Sequence, residues 1–205
     1  MQQRDVEIID EYILYAQRWV RVLELLCRSG SGEEFRWTCV ERPMCEEVVI
    51  VFPTIRDRVV LVEQFRPANG QRVLEMPAGI CDVPEEGALD AAKRELLEET
   101  GYRSERWIEL PRGPESSGLI RGDVRCFLAQ HCERVGDPRL EHSEERLGLR
   151  VVTFPYDNLL GGLLQYAKET GNAIDPKIAG CYAWSQAHRH GDHLEPSYWQ
   201  YEGGE

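Results

Sequence analysis

Residues 74–102 read LEMPAGICDVPEEGALDAAKRELLEETGY, and this stretch decides the fold. Pro84 with Glu85 and Glu86 predicts a helix start, because acidic side chains favour the positive end of the helix dipole. Gly101 predicts the stop, as glycine does just past a helix end. At about 100° per residue, Ala88, Leu89, Ala92 and Leu96 share one arc, the face expected to pack on a sheet. Glu95 and Glu99, at i and i+4, project on or near that same side, whereas Asp90, Lys93 and Leu97 point away. Glu98 sits at the edge, four residues after Arg94. Two acids beside a packing face repel and are poorly solvated. A hard divalent cation would compensate, since Mg²⁺ prefers several carboxylate oxygens. Pairing of an acidic helix flank with Arg94 and Lys93 is the alternative.

Outward from this helix the chain alternates strands and helices without a strict rhythm. Strands are expected at 18–28 and 35–41, joined through SGSGEE as a hairpin turn. EEVVIVFPTI, RVVLVEQFR, VLEM, RCFLAQ and LRVVTF follow as further strands. NLLGGLLQYAKET reads as a helix, and Asp175-Pro176 opens a last one through KIAGCYAWSQAH. The pattern predicts an α/β fold with a mixed sheet and helices on both faces. Residues 1–45 form an N-terminal antiparallel β region in this reading, and 46–205 the catalytic domain.

The bulk properties narrow the function. The 205 residues carry a formal net charge of −12, with 42% hydrophobic and 29% charged residues. Such a charge opposes binding to a nucleic acid backbone, although metal ions can still bring in a small polyanion. Seven scattered cysteines, with no Cys-x-x-Cys, suggest neither a disulfide framework nor a zinc site. The start of the chain lacks the pattern of a signal peptide, and no apolar run approaches the roughly 20 residues of a membrane span. A cytoplasmic protein is expected, with no membrane partner.

Arg94-Glu95-Leu96-Leu97-Glu98-Glu99-Thr100-Gly101-Tyr102 resembles the core of the Nudix box, Arg-Glu-U-x-Glu-Glu-x-Gly-U, where U is aliphatic or aromatic. Gly79 lies upstream as the box requires, but the intervening loop carries one extra residue, so Glu85 and Glu86 both compete for the box's upstream glutamate. The resemblance implies a Nudix-type α/β/α sandwich that hydrolyses a nucleoside diphosphate linked to a further group. It assigns Glu95, Glu98 and Glu99, with the backbone carbonyl of Ala78, to Mg²⁺ or Mn²⁺, and Arg94 to orienting the glutamates.

LVEQFR followed by LEMPAG is similar to the ADP-ribose and nucleotide-sugar pyrophosphatases of this family. In that branch Arg66 would contact the pyrophosphate; otherwise it is a surface arginine. Glu75 would support the metal site or pair with an arginine. SSGLIRGDVRCFLA is also similar to the branch, although Ser117 stands where many ADP-ribose enzymes have proline. A glutamate on a late loop often serves as general base in the branch, and the polar segment 136–148 offers Glu141, Glu144 and Glu145, of which Glu144 or Glu145 is favoured; a plain solvated acidic loop is the equal alternative. The branch commonly forms homodimers whose N-terminal β region helps build the base pocket. Tyr12, Tyr15, Trp19 and Trp37 would stack on a base there, or pack in the core. His188, His190 and His193 cluster in a tail without a clear ligand partner. The expected activity is hydrolysis of ADP-ribose or a related nucleoside diphosphate sugar to a nucleoside monophosphate and a sugar phosphate. The alternatives are another substrate, such as NADH, FAD or a UDP- or GDP-sugar, and a non-catalytic nucleotide-sugar sensor.

Overall fold

A computed structural model describes residues 6–45, 47–83 and 85–190. Pro84 and His193 lie outside them. The elements are β1 (Val6–Gln17), β2 (Val20–Ser29), β3 (Glu34–Glu41), β4 (Glu47–Ile55), β5 (Arg58–Arg66), β6 (Gln71–Glu75), β7 (Ala78–Ile80) and α1 (Ala88–Thr100). There follow β8 (Tyr102–Arg103), β9 (Arg106–Glu109), β10 (Gly113–Ser116), β11 (Ile120–Gln130), β12 (Glu133–Arg134) and α2 (His142–Leu147). The chain continues with β13 (Arg150–Pro155), α3 (Leu159–Thr170), β14 (Ala173–Ile174) and α4 (Lys177–Arg189). No helix among the described residues is long and apolar enough to cross a membrane.

Two compact units divide the chain. The first spans 1–48 and takes in 113–124 as well. Within it β1, β2 and β3 form an antiparallel meander, and β3 pairs in parallel with Ile120 and Arg121 at the start of β11. Leu23, Leu25 and Cys27 alternate along β2 on one face, where they meet Cys39 and Phe35. β1 was not foreseen as a strand: VEIIDEYILYAQ lacks a clean period of two, all twelve residues are exposed, and its pairing with β2 is twice shifted in register.

The second unit spans 49–112 and 125–205. Its sheet is mixed: β5 pairs antiparallel with β4, β6 and β13, and β6 runs parallel to β14. Alternation along β4 sends Val49 and Val51 to one face, where they pack with Ala88, Ala91, Ala92 and Leu96 of α1 and with Phe127 and Ala129 of β11. Phe52 points to the other face, toward Tyr156 at 6.5 Å and Tyr182 of α4 at 6.4 Å between ring centroids. Helices therefore cover both faces, as the mixed α/β reading requires. Leu96 is fully buried, and truncating it to Ala removes about 2–5 kcal/mol of packing.

Two local expectations are corrected. Helix α1 begins at Ala88, with Gly87 as its N-cap and so no side-chain cap, later than the start expected at Pro84–Glu86. Ala91 rather than Leu89 fills the packing face: Ala91 is fully buried and Leu89 is exposed. The stop is as expected. Gly101 adopts φ 72° and donates its N–H to the Leu97 carbonyl, a conformation that costs glycine little.

Candidate active site

The site is built where α1 runs against the short strand β7. Gly79 permits the approach: a Cβ there would lie 1.9 Å from Glu95 Oε1, so any side chain would displace that carboxylate. The neighbouring Ala78 N–H donates to Glu99 Oε2 at 3.0 Å.

Arg94 organises the acids around it. Its Nε and Nη2 donate to the two oxygens of Glu86, each at 3.0 Å, in the forked geometry that fits guanidinium to carboxylate. Nη1 donates to Glu95 Oε1 at 2.6 Å and to Glu98 Oε2 at 3.3 Å, and Nη2 also reaches the Ile80 carbonyl at 3.3 Å. Of the two competing loop glutamates, Glu86 makes this pair. Glu85 is exposed and sits at φ 66°, so the extra residue is taken up in a left-handed turn. The paired glutamates hold the Arg94 guanidinium charged well above its ordinary range.

Oxygens of Glu95, Glu99 and Glu144 all lie within 4.8 Å of one another. Burial pushes Glu95 up to about 7 despite the Arg94 charge beside it. Glu99 is 3% exposed, and burial, with the Glu144 and Glu95 charges, pushes it well above the usual carboxylate range. Its Ala78 hydrogen bond and the Arg66 charge offset this only in part. Burial raises Glu144 too. Among the described residues no lysine or arginine forms an ion pair with Glu99 or Glu144. Three crowded carboxylates with so little compensating charge form the donor set that a hard divalent cation satisfies.

Glu144 arrives on α2, a helix the sequence did not foretell within the polar loop. A capping box nucleates it: Glu141 caps the Glu144 N–H, and Glu144 Oε2 accepts the Glu141 N–H at 2.6 Å. Serine or threonine is the usual signature at the cap, which is why the glutamate version escaped notice. Glu145 instead points to solvent, 3.7 Å from His142 Nδ1. Glu98 stands with Arg94 outside the group of mutually close oxygens, although its charge bears on both Glu95 and Glu144.

Arg66 Nε donates to Glu75 Oε2 at 2.8 Å. The Tyr12, Tyr15, Trp19 and Trp37 side chains do not pack in a core; they are between 41% and 59% exposed within the first unit. His188 lies in α4 and His190 at its end. Sequence reasoning missed one buried group altogether. Glu63 on β5 is fully buried and is held by Arg72, Arg150 and Asn172.

Comparison with known proteins places the chain in a family. The Nudix domain family matches residues 44–176. The chain is 32% identical over 195 residues to an ADP-sugar pyrophosphatase of Mus musculus, covering 89% of this chain and 87% of that protein. It is 35% identical over 97 residues to an ADP-ribose pyrophosphatase of Mycobacterium tuberculosis, a match that spans 47% of each chain. A solved structure, described as that of an ADP compounds hydrolase, superposes with a TM-score of 0.72 at 19% identity, covering 95% of this chain and all of that one, and so shares the fold. With the domain matched through 133 consecutive positions and the arginine and glutamates of the box assembled around one another, the chain belongs to the Nudix family of hydrolases.

Proposed function

We propose that the protein hydrolyses the pyrophosphate bond of ADP-ribose or a related nucleoside diphosphate sugar, with Mg²⁺ or Mn²⁺ as cofactor. The observation that carries this reading is the set of close, under-compensated carboxylates of Glu95, Glu99 and Glu144. The substrate class is supported by the two pyrophosphatase relatives, which are so named.

In this reading Glu95 and Glu99 hold the metal, with Glu98 and the Ala78 carbonyl alongside. Bound there, a divalent ion neutralises the pyrophosphate and makes water more acidic. The chain's own residues do the rest. Arg94 fixes the carboxylates through its hydrogen bonds to Glu95 and Glu98, which prevents them from splaying apart. Glu144, which α2 brings beside Glu95 and Glu99, takes the proton from the attacking water. Glu145 faces solvent and is the weaker candidate. Arg66, half-exposed and tied to Glu75 through Nε alone, binds a phosphate oxygen.

We also read the protein as a homodimer. The exposed apolar side chains of β1, among them Ile8, Ile13 and Leu14, support a second copy as partner. The seven free thiols fit a reducing, cytoplasmic setting. The test is a panel of nucleoside diphosphate derivatives, with products identified, in Mg²⁺ and in chelator. Release of a nucleoside monophosphate and a sugar phosphate only with metal is expected. Turnover unaffected by chelator defeats the metal mechanism, and preference for NADH, FAD or a UDP- or GDP-sugar changes the substrate.

A further inference from the structure

Glu144 belongs to a short helix that buries little of its own surface. Helix α2 is six residues long and none of its residues is fully buried; its apolar hold is limited to the partly buried Leu147 and to Leu149 just beyond its end. Its capping box is internal to the helix. Beside that small apolar hold, the position of Glu144 is set by polar ties at the ends of the segment.

At the leading end, the Arg139 N–H donates to the Glu98 carbonyl at 2.7 Å. At the trailing end, Gly148 adopts φ 64°, and the Leu149 N–H donates to the carbonyl of Glu144 itself at 3.0 Å. The Gly148 carbonyl accepts Arg72 Nη2 at 2.6 Å. Arg72 in turn donates through Nε to the carboxylate of Glu63 and through Nη2 to the Glu63 carbonyl at 3.3 Å. Glu63 is also held by Arg150 at 3.0 Å and by Asn172 at 3.0 Å. One buried carboxylate thus grips the chain just after α2 at two points: at Gly148 by way of Arg72, and directly at Arg150.

We propose that Arg72, fixed by Glu63, is a positioning residue that sets Glu144 against Glu95 and Glu99. This rests on the reading of Glu144 as the group that takes the proton from water. Gly148 is one helical turn beyond Glu144, so a shift at its carbonyl passes through the turn to the carboxylate. A displacement of roughly 1 Å is enough to cost about a hundredfold in rate.

The experiment compares Arg72→Ala, Glu144→Gln and the double variant, with ADP-ribose and Mg²⁺, and follows amide hydrogen exchange in the metal-free proteins. Arg72→Ala is expected to speed exchange at residues 144–149 at least about tenfold, to lower kcat about tenfold and to leave KM within about twofold. Added to Glu144→Gln, it is expected to lower kcat by no more than about twofold, because its effect runs through the carboxylate already removed. Should Arg72→Ala fail to fold, Glu63→Gln with Arg72→Met, which leaves no unpaired carboxylate buried, takes its place with the same expectations. An equal cost of the arginine substitution in both backgrounds overturns the proposal, as does unchanged exchange at 144–149. Slow Glu144→Gln with full activity in Arg72→Ala defeats the clamp alone. Full activity in Glu144→Gln defeats the reading of Glu144, and the clamp's role with it.

Discussion

Two buried carboxylates in this fold, Glu99 and Glu63, have opposite fates. Glu63 is fully buried, yet Arg72, Arg150 and Asn172 all donate to it. Burial pushes its proton affinity up, but the two arginines more than offset this and hold it below the usual carboxylate range. Glu99 is nearly as buried, has one backbone donor, and faces Glu95 and Glu144. Burial and like charge push it well above that range. An acid that the fold has satisfied contributes to structure. An acid left without compensation, beside others like it, is held ready for something that comes from outside.

The largest effect expected from this contrast is on Glu99. Glu99→Gln should lower turnover on the order of 10² or more, while metal-free stability is unchanged or higher because a crowded charge is gone. Loss of stability comparable to that of Glu63→Gln would erase the contrast. Glu144→Gln should follow, with about a 10² loss in kcat if it serves as base. Gly79→Ala should cost about tenfold in kcat, because its Cβ would meet Glu95 Oε1 at 1.9 Å and drive that carboxylate from its place.

Glu63→Gln sharpens the other side. It should lose about 2 kcal/mol of stability in urea denaturation, below the figure for fully buried pairs because Arg72 and Arg150 remain in contact with water. The pH dependence has a definite sign. Glu63 binds its proton more weakly in the folded state, so its contribution is present above the ordinary carboxylate pKa and is lost as pH falls through the depressed folded value. The stability gap between wild type and Glu63→Gln should therefore close on acidification. The smallest effect belongs to Glu145→Gln, which should leave turnover within about twofold, since Glu145 faces solvent.

Much of α1 was legible in the sequence because its information is local. The alanine and leucine spacing, Gly101 and the Arg94–Glu98 separation all act within one or two helical turns. Helix placement by angle alone chose Leu89 over Ala91, since the sheet contour that selects the small side chain is set by Val49, Val51, Phe127 and Ala129. The competition between Glu85 and Glu86 needed the backbone, where a positive φ turns one outward and leaves the other to Arg94. The Glu63 cluster was invisible. Arg150 and Asn172 lie 87 and 109 positions away from it, and only the pairing of β13 with β5 and of β14 with β6 brings them near. The sequence offered Glu144 together with Glu145; its closeness to Glu95 and Glu99 needed the fold, in which Arg72 on β6 bonds Gly148 just past α2.

The central claim is that Glu95 and Glu99 are left under-compensated because they receive a divalent cation, with Glu144 beside them to take a proton. Calorimetric titration of Mn²⁺ into metal-free protein tests it most directly, without a substrate. The account predicts saturable binding by the wild type and loss of at least about tenfold in affinity in Glu99→Gln, with Glu63→Gln binding as the wild type does. Equal Mn²⁺ affinity in wild type and Glu99→Gln, or no binding by either, would contradict it.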